Sequence, residues 1–176
     1  MEHRVPIEPA KLIEAAEELA TRCGGASTGR PLATWLRRAV STAYYALYHA
    51  VSLSAAEHLL PHGSAEDQLR ITRLFRHSSI NGVCAKIADR AGAKGNSYID
   101  PISERLRDSP MLRVATAFCD LQEARHKADY DHLEQLSGLV TVGLISDAKG
   151  ALQMLDAAPS ADRETFMALV AMSLRN

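Results

Sequence analysis

Aromatic residues and cysteines are scarce in this chain of 176 residues. Aromatic side chains make up 5% of the sequence, and no run of β-branched residues alternates with polar ones, so close-packed helices are favoured over sheets. The cysteines are odd in number, far apart and without a C-x-x-C pair: Cys23, Cys84 and Cys119. This spacing indicates neither a disulfide framework nor a zinc site; it predicts buried or half-buried free thiols in a reducing cytosol.

Charge bias and long apolar runs are missing as well. The formal net charge is −1, so a surface for nucleic acid must be a local patch on a neutral body. No apolar stretch approaches the ~20 residues that span a bilayer. The start of the chain lacks the basic residues and the apolar run of a signal peptide. We therefore expect a cytoplasmic protein with no membrane partner.

The common sequence motifs of phosphate, cofactor and metal sites do not occur. The chain contains no G-x-S-x-G, no H-E-x-x-H and no G-x-G-x-x-G. His58 and His62 stand four residues apart with no third ligand near them, which is more typical of chance exposure than of metal binding. The sequence accordingly predicts no metal and no cofactor.

Helical periodicity covers most of the chain. Pro9, Pro31 and Pro110 stand where helices begin, and Ser64 precedes two acids as an N-cap does. We predict helices over the ranges 9–22, 31–60, 64–77, 81–90, 109 to at least 125, 133–155 and 161–174. The resulting fold class is all-α, an up-and-down bundle of four to five main helices with additional short helices. It forms one domain over residues 1–176, with a core at about 9–157 and a C-terminal amphipathic helix at 160–175.

The longest predicted helix carries polar residues opposite its apolar seam. Arg38, Ser41, Tyr45 and His49 lie within one broad stripe, which places hydroxyl and imidazole groups at a helix–helix boundary. Such groups either satisfy one another and nearby backbone in the core or belong to a functional site. The seam itself repeats at alternating steps of four and three: Leu36, Val40, Ala43, Leu47, Ala50 and Ser54.

A second polar segment covers residues 121–132 on a later helix. Arg125 and Asp129 form an i,i+4 pair there, worth a few tenths of a kcal/mol when exposed. If the segment is helical throughout, Arg125 and His132 share a face ~10 Å apart along the axis, close enough to reach one phosphate. The alternative is a structural pair between Arg125 and Asp129 beside an exposed, inert His132.

Together these two segments resemble the HEPN family of helical proteins. The Arg-Arg-Ala-Val-Ser-x-Ala-Tyr-Tyr-Ala-x-x-His run at residues 37–49 is similar to the signature of one prokaryotic branch. The Arg-x-x-Ala-Asp-Tyr-Asp run at residues 125–131 is similar to its partner signature. The resemblance implies a bundle of four or five helices that pairs as a homodimer. Many members are metal-independent endoribonucleases, often bacterial toxins encoded beside a nucleotidyltransferase-like antitoxin.

The resemblance also implies roles for individual residues. The catalytic signature of the family is an arginine followed, after four to six residues, by a histidine, which Arg125 and His132 fit. Arg125 would then stabilise the phosphate and His132 would take the proton of the 2′-hydroxyl as general base. His126 would be a second proton shuttle, with supporting residues around them: Asp129, Tyr130, Tyr45 and His49. Other members cut nothing, so the alternative is an inactive module that binds a nucleotide, RNA or a partner protein.

Clustered arginines predict a local nucleic-acid surface. Arg37 and Arg38 fall in a stretch without acids, and three further arginines repeat at three-residue steps along one predicted helix: Arg70, Arg73 and Arg76. Such a stripe suits backbone phosphates. It equally suits a solvated helix face that nearby acids balance.

Overall fold

Eight α-helices build the part of the chain that the computed structural model describes, namely residues 7–22, 30–93, 100–133 and 135–175. No strand occurs in these ranges, which confirms the predicted all-α fold class. Two short 3-10 helices, Leu106–Asp108 and Ser173–Arg175, accompany the α-helices. The α-helices are α1 Pro9–Thr21, α2 Arg30–Leu59, α3 Ala65–Thr72, α4 His77–Ile87, α5 Asp100–Arg105, α6 Met111–Tyr130, α7 Gly138–Ala157 and α8 Ser160–Met172.

The helix α2 is the centre of the bundle. It contacts α1, α3, α6, α7 and α8, and at 30 residues it is ~45 Å long. The predicted seam is confirmed at Leu36, Val40, Ala43 and Leu47, each at most 2% exposed. Many of the other buried positions on α2 are alanines, which lets neighbouring helices approach closely. No helix in the described ranges has the length and apolar content needed to cross a membrane.

The C-terminal helix belongs to the same core as the helices before it. Phe166, Met167, Leu169 and Val170 are buried and join one continuous cluster with side chains of α1, α2, α4, α6 and α7. The core therefore extends past the predicted limit at residue 157. The helix α8 packs on its own chain, against α2, α4 and α6.

The predicted helix over residues 64–77 ends early. Ser64 caps α3 as predicted, since its hydroxyl accepts a hydrogen bond from the Asp67 amide. The helix stops at Thr72 because Phe75 turns into the core, where it is 3% exposed and its carbonyl accepts from the Tyr48 hydroxyl at 2.8 Å. A new helix, α4, then starts at His77 instead of at residue 81. The prediction that Arg70, Arg73 and Arg76 form a stripe along one helix was therefore wrong.

The boundary between α6 and α7 also differs from the prediction. The helix α6 ends at Tyr130, and α7 begins at Gly138, where the Ser137 hydroxyl accepts from the Val140 amide. Between them the Asp131 carboxylate accepts from the Leu133 amide at 2.8 Å and forms a local turn. The segment is therefore not helical throughout, and His132 lies past the end of the helix that carries Arg125.

Two of the cysteines are free thiols inside the bundle, as predicted. Cys84 is buried and Cys119 is half-buried. Burial raises the pKa of Cys84 and raises that of Cys119 to about 11, so both stay protonated and unreactive near neutral pH. Cys23 lies outside the described residues.

Thr141 on α7 generates a stability prediction. Its side chain is fully buried, and its hydroxyl has no hydrogen-bond partner among the described residues. Valine has nearly the same shape without the hydroxyl, so Thr141→Val should raise the free energy of unfolding by about 1 kcal/mol. The free energy of unfolding is measured by urea denaturation, with circular dichroism as the signal. The control is Thr42→Val, which loses a hydrogen bond to the Arg38 carbonyl and should bring no gain; destabilisation by Thr141→Val would contradict the prediction.

Candidate functional site

The polar face of α2 meets the last turns of α6. Arg37 reaches across and donates from Nη1 to the carbonyl oxygens of Ala128 at 2.6 Å and Asp131 at 2.8 Å. These carbonyls close the C-terminal end of α6, where backbone acceptors lack helical partners and a cation complements the helix dipole. Arg37 was predicted to bind nucleic acid; in the structure its guanidinium caps a helix of its own chain.

Asp129 connects the two helices at the next turn. One carboxylate oxygen accepts from the Ser41 hydroxyl at 2.7 Å, and the other lies 2.7 Å from Nε of Arg125. The Nε–H does not point at that oxygen with hydrogen-bond geometry, so this contact is an ion pair. The side chains of Arg125 and Asp129 are only 19% and 21% exposed. The pair is therefore part of the helix interface and is not an exposed surface pair.

Arg125 also joins an aromatic cluster on α2. Its Nη2 donates to the Tyr45 hydroxyl at 3.3 Å, and its Cζ lies 5.7 Å from the centre of the Tyr45 ring. Tyr45 stacks on His49 with ring centres 6.2 Å apart. The structure thus brings together four of the predicted site residues: Arg125, Asp129, Tyr45 and His49.

His77 completes this cluster from α4. The Tyr44 hydroxyl lies 2.6 Å from Nδ1 of His77, and the Tyr48 ring lies 4.0 Å from the imidazole, centre to centre. The sequence did not place His77 in this cluster, because it lies at a helix start far from both signature segments. The tyrosine spacing on α2 was the available signal that a partner from another helix would pack there.

Burial and nearby charge shift the titration of the cluster. Burial raises the pKa of Tyr44 far above its ordinary value and raises that of Tyr48. Burial lowers the pKa of His49. The pKa of His77 is lowered by burial, then by the positive charge of Arg125, then by His49. Both imidazoles are therefore neutral at pH 7.

An open groove of about 1370 Å³ runs beside the cluster, between α4, α6 and the end of α8. Arg125 and His126 line its α6 wall, and Ser78 and Ser79 line the α4 wall. Its charges nearly balance, because Lys86 is paired with Asp100, and Arg90 with Asp120. Two amide oxygens at the groove are buried without a hydrogen-bond partner among the described residues: Asn81 Oδ1 and Gln122 Oε1.

The remaining predicted catalytic residues are exposed. His126 lies against Tyr130 with ring centres 5.1 Å apart, and Tyr130 is 62% exposed. His132 is exposed in the turn after α6, and no hydrogen bond or ion pair within the described ranges joins it to Arg125. The structure therefore brings His126, but not His132, into the groove that Arg125 lines.

The predicted arginine patch is divided among different environments. Arg70 pairs with Glu66 at 2.6 Å and with Asp67 at 3.6 Å on the surface of α3. Arg38, Arg73 and Arg76 are exposed. Over the part of the chain that the structure describes, no three His, Cys, Asp or Glu side chains converge as a metal site requires.

No protein-family model, curated protein sequence or solved structure matches this chain. The resemblance to the HEPN family therefore stays a prediction that is based on the two signature segments.

The two neutral histidines generate a pH prediction. Because their pKa is lowered in the folded state, the stability that their neutral form contributes is present above about pH 6.5 and is lost as the pH falls through the folded pKa. The free energy of unfolding in urea should therefore fall as the pH is lowered from about 7.5 to about 5.5. A variant with both His49→Asn and His77→Asn should lose most of this drop, whereas exposed His58→Asn should keep it. An equal drop in all three proteins would assign it to other groups.

Proposed function

We propose that this chain is a HEPN-type module that binds single-stranded RNA along the groove beside α6 without cutting it. The observation that carries the proposal is the position of Arg125. This arginine of the predicted catalytic signature is already engaged by Asp129 and Tyr45, yet it lines the groove together with His126. Because Asp129 already balances part of its positive charge, we expect this guanidinium to position a ligand rather than to stabilise a developing charge.

Exposed rings beside Arg125 support RNA as the ligand. Tyr130 and His126 pack together on the surface, and Cζ of Arg125 lies 5.5 Å from the centre of the Tyr130 ring. Unstacked bases of single-stranded RNA stack on such rings. Arg76 is exposed two residues before the α4 wall of the groove, where a phosphate backbone would find a positive charge. Ser78 and Ser79 supply hydroxyl groups for hydrogen bonds to base edges.

The near balance of charge in the groove makes this binding different from that of strongly basic proteins. Lys86 and Arg90 already have acidic partners. RNA binding of this kind relies on stacking and hydrogen bonds, so its dependence on salt should be shallow.

Metal-independent RNA cleavage is the second candidate. The presence of His126 and Arg125 on one wall of the groove favours it, because a general base and a phosphate ligand must stand together. His132 would act from the turn after α6. Under either candidate, the homodimer and the nucleotidyltransferase-like antitoxin partner of a bacterial toxin–antitoxin pair are further parts of the proposal that come from the resemblance.

One experiment tests both candidates. Fluorescence anisotropy with labelled single-stranded RNA in EDTA measures binding, and the same samples on a denaturing gel show cleavage. We expect binding to intact RNA that Tyr130→Ala weakens ~10-fold, since one stacked base contributes about 1–3 kcal/mol. The control His62→Ala, which changes an exposed residue in the turn after α2, should bind as the unaltered chain does.

The other outcomes are equally definite. Absence of binding, or equal binding by Tyr130→Ala, would contradict the RNA-binding proposal. Cleavage that His132→Ala or His126→Ala abolishes would establish the nuclease instead.

A further inference from the structure

A second cleft, of about 400 Å³, lies between α6 and α7, and its volume is in the range of sites for small molecules. The lining comes mostly from one face of α6, where residues three or four positions apart lie side by side. Its members are Leu112, Arg113, Thr116, Ala117 and Asp120, with Ser109 just before the helix and Asp147 on α7. Of the described residues, Asp120 alone also lines the groove beside α4, so the cleft is a separate site.

The guanidinium of Arg113 borders this cleft without an anionic partner. No hydrogen bond or ion pair joins its side chain to any residue in the described ranges. It lies against the backbone of α7 at Gly150, where a Cβ atom would be 3.4 Å from Nη2 and 3.8 Å from Cζ. Because glycine has no side chain, the guanidinium rests on the helix there, and its five N–H donors stay unpaired at the cleft.

The carboxylate of Asp147 is unpaired as well, since no described residue donates a hydrogen bond to it. The neighbouring charges are already paired. Lys149 on α7 binds Glu17 at 2.8 Å, and Asp120 binds Arg90. Among the described residues that line it, the cleft therefore has one unpaired cation and one unpaired carboxylate, which lie too far apart to pair with each other.

The register of the two helices determines how these charges are spaced. The short connection between α6 and α7 makes them antiparallel. With Gly150 opposite Arg113, Asp147 lies three residues back along α7, which is ~4.5 Å along the axis. This places Asp147 near the level of Thr116, whose hydroxyl has no hydrogen-bond partner among the described residues.

These groups define a ligand by its charges. A planar guanidinium binds a carboxylate through two parallel hydrogen bonds, and the carboxylate of Asp147 accepts from an ammonium group. A ligand with only a negative charge would be repelled by Asp147, and a ligand with only a positive charge would be repelled by Arg113. A zwitterion satisfies both. An α-amino acid carries its two charges on one carbon, which suits binding groups that are one helical turn apart.

The uncharged part of the lining fits an aliphatic side chain. Leu112 is half-buried and Ala117 is 6% exposed, so both present apolar surface to the cleft. None of the residues that line it is aromatic, and the cleft therefore offers no ring on which a base or an aromatic ligand could stack.

We infer that the cleft between α6 and α7 is a binding site for a free α-amino acid with an aliphatic side chain. Arg113 binds the carboxylate, Asp147 binds the ammonium group, and the Thr116 hydroxyl supplies a further hydrogen bond. This site is independent of the proposed RNA groove, because neither of the two charged residues lines that groove.

The test is an NMR titration of the intact, isotope-labelled chain with L-leucine as the probe. Two analogues of similar shape each lack one charge: L-leucinamide has no carboxylate, and isocaproate has no ammonium group. We expect leucine to shift the signals of the Arg113 Nε–H and the Asp147 amide in a saturable way, with a Kd of ~1 mM or below. Each analogue should bind at least ~10-fold more weakly.

Two substitutions connect this preference to the two charges. Arg113→Gln should abolish the preference for leucine over leucinamide, and Asp147→Asn the preference for leucine over isocaproate. Both variants should unfold at the same urea concentration as the unaltered chain, because neither side chain has a partner to lose. The matched control is Arg105→Gln, which changes an exposed arginine at the end of α5 and should leave leucine binding as it is.

The contrary outcomes are distinct. Absence of a saturable response to leucine, or equal binding of leucine and both analogues, would overturn the amino-acid site. An equal loss of binding in Arg105→Gln would overturn it too, since the effect would then be one of net charge. Tyr130→Ala should bind leucine as the unaltered chain does, so failure of the RNA-binding proposal would leave this result unchanged.

Discussion

The Asp129 carboxylate is the interaction on which the junction between α2 and α6 depends. It accepts from Ser41 on one helix and holds Arg125 on its own helix, in a place where both charged side chains are about one-fifth exposed. An ion pair so far from water is costly to break, because each partner would be left as an uncompensated charge. One turn earlier on α2, Arg37 donates hydrogen bonds to two backbone carbonyls at the end of α6. The two contacts fix the register of the central helix against α6.

That register determines what surrounds Arg125. With α2 and α6 held in place, Tyr45 lies beside the guanidinium, His49 stacks on Tyr45, and His77 of α4 packs against the same ring. Burial keeps the imidazole of His49 neutral, and burial together with the charge of Arg125 does so for His77. The same placement leaves Arg125 and His126 on the wall of the groove. The segment that resembles a catalytic signature therefore stabilises the fold. A ligand can contact only those of its side chains that remain accessible.

The sequence predicts the helices well where the signal is local. The seam on α2 and the Ser64 cap are both present, because alternating apolar spacing and N-capping chemistry operate within a few residues. Helix ends that depend on distant side chains were predicted poorly. The end of α6 is held by Arg37, and the break between α3 and α4 follows Phe75, whose carbonyl pairs with Tyr48. For the same reason the site was predicted in part. Periodicity placed Tyr45 and His49 on one face, whereas His77 had no local signal. The shared face of Arg125 and His132 required a continuous helix, and α6 ends at Tyr130.

The most direct test of this account is a double-mutant cycle across the junction, with Ser41→Ala and Asp129→Ala measured singly and together by urea denaturation. We predict a coupling free energy of about 1 kcal/mol or more, since the hydroxyl donates to a shielded carboxylate. The control is Glu123 with Lys127, an exposed i,i+4 ion pair on α6 whose side chains are 66% and 49% exposed; its cycle should give less than about 0.5 kcal/mol. A coupling near zero between Ser41 and Asp129 would contradict the central role of this carboxylate.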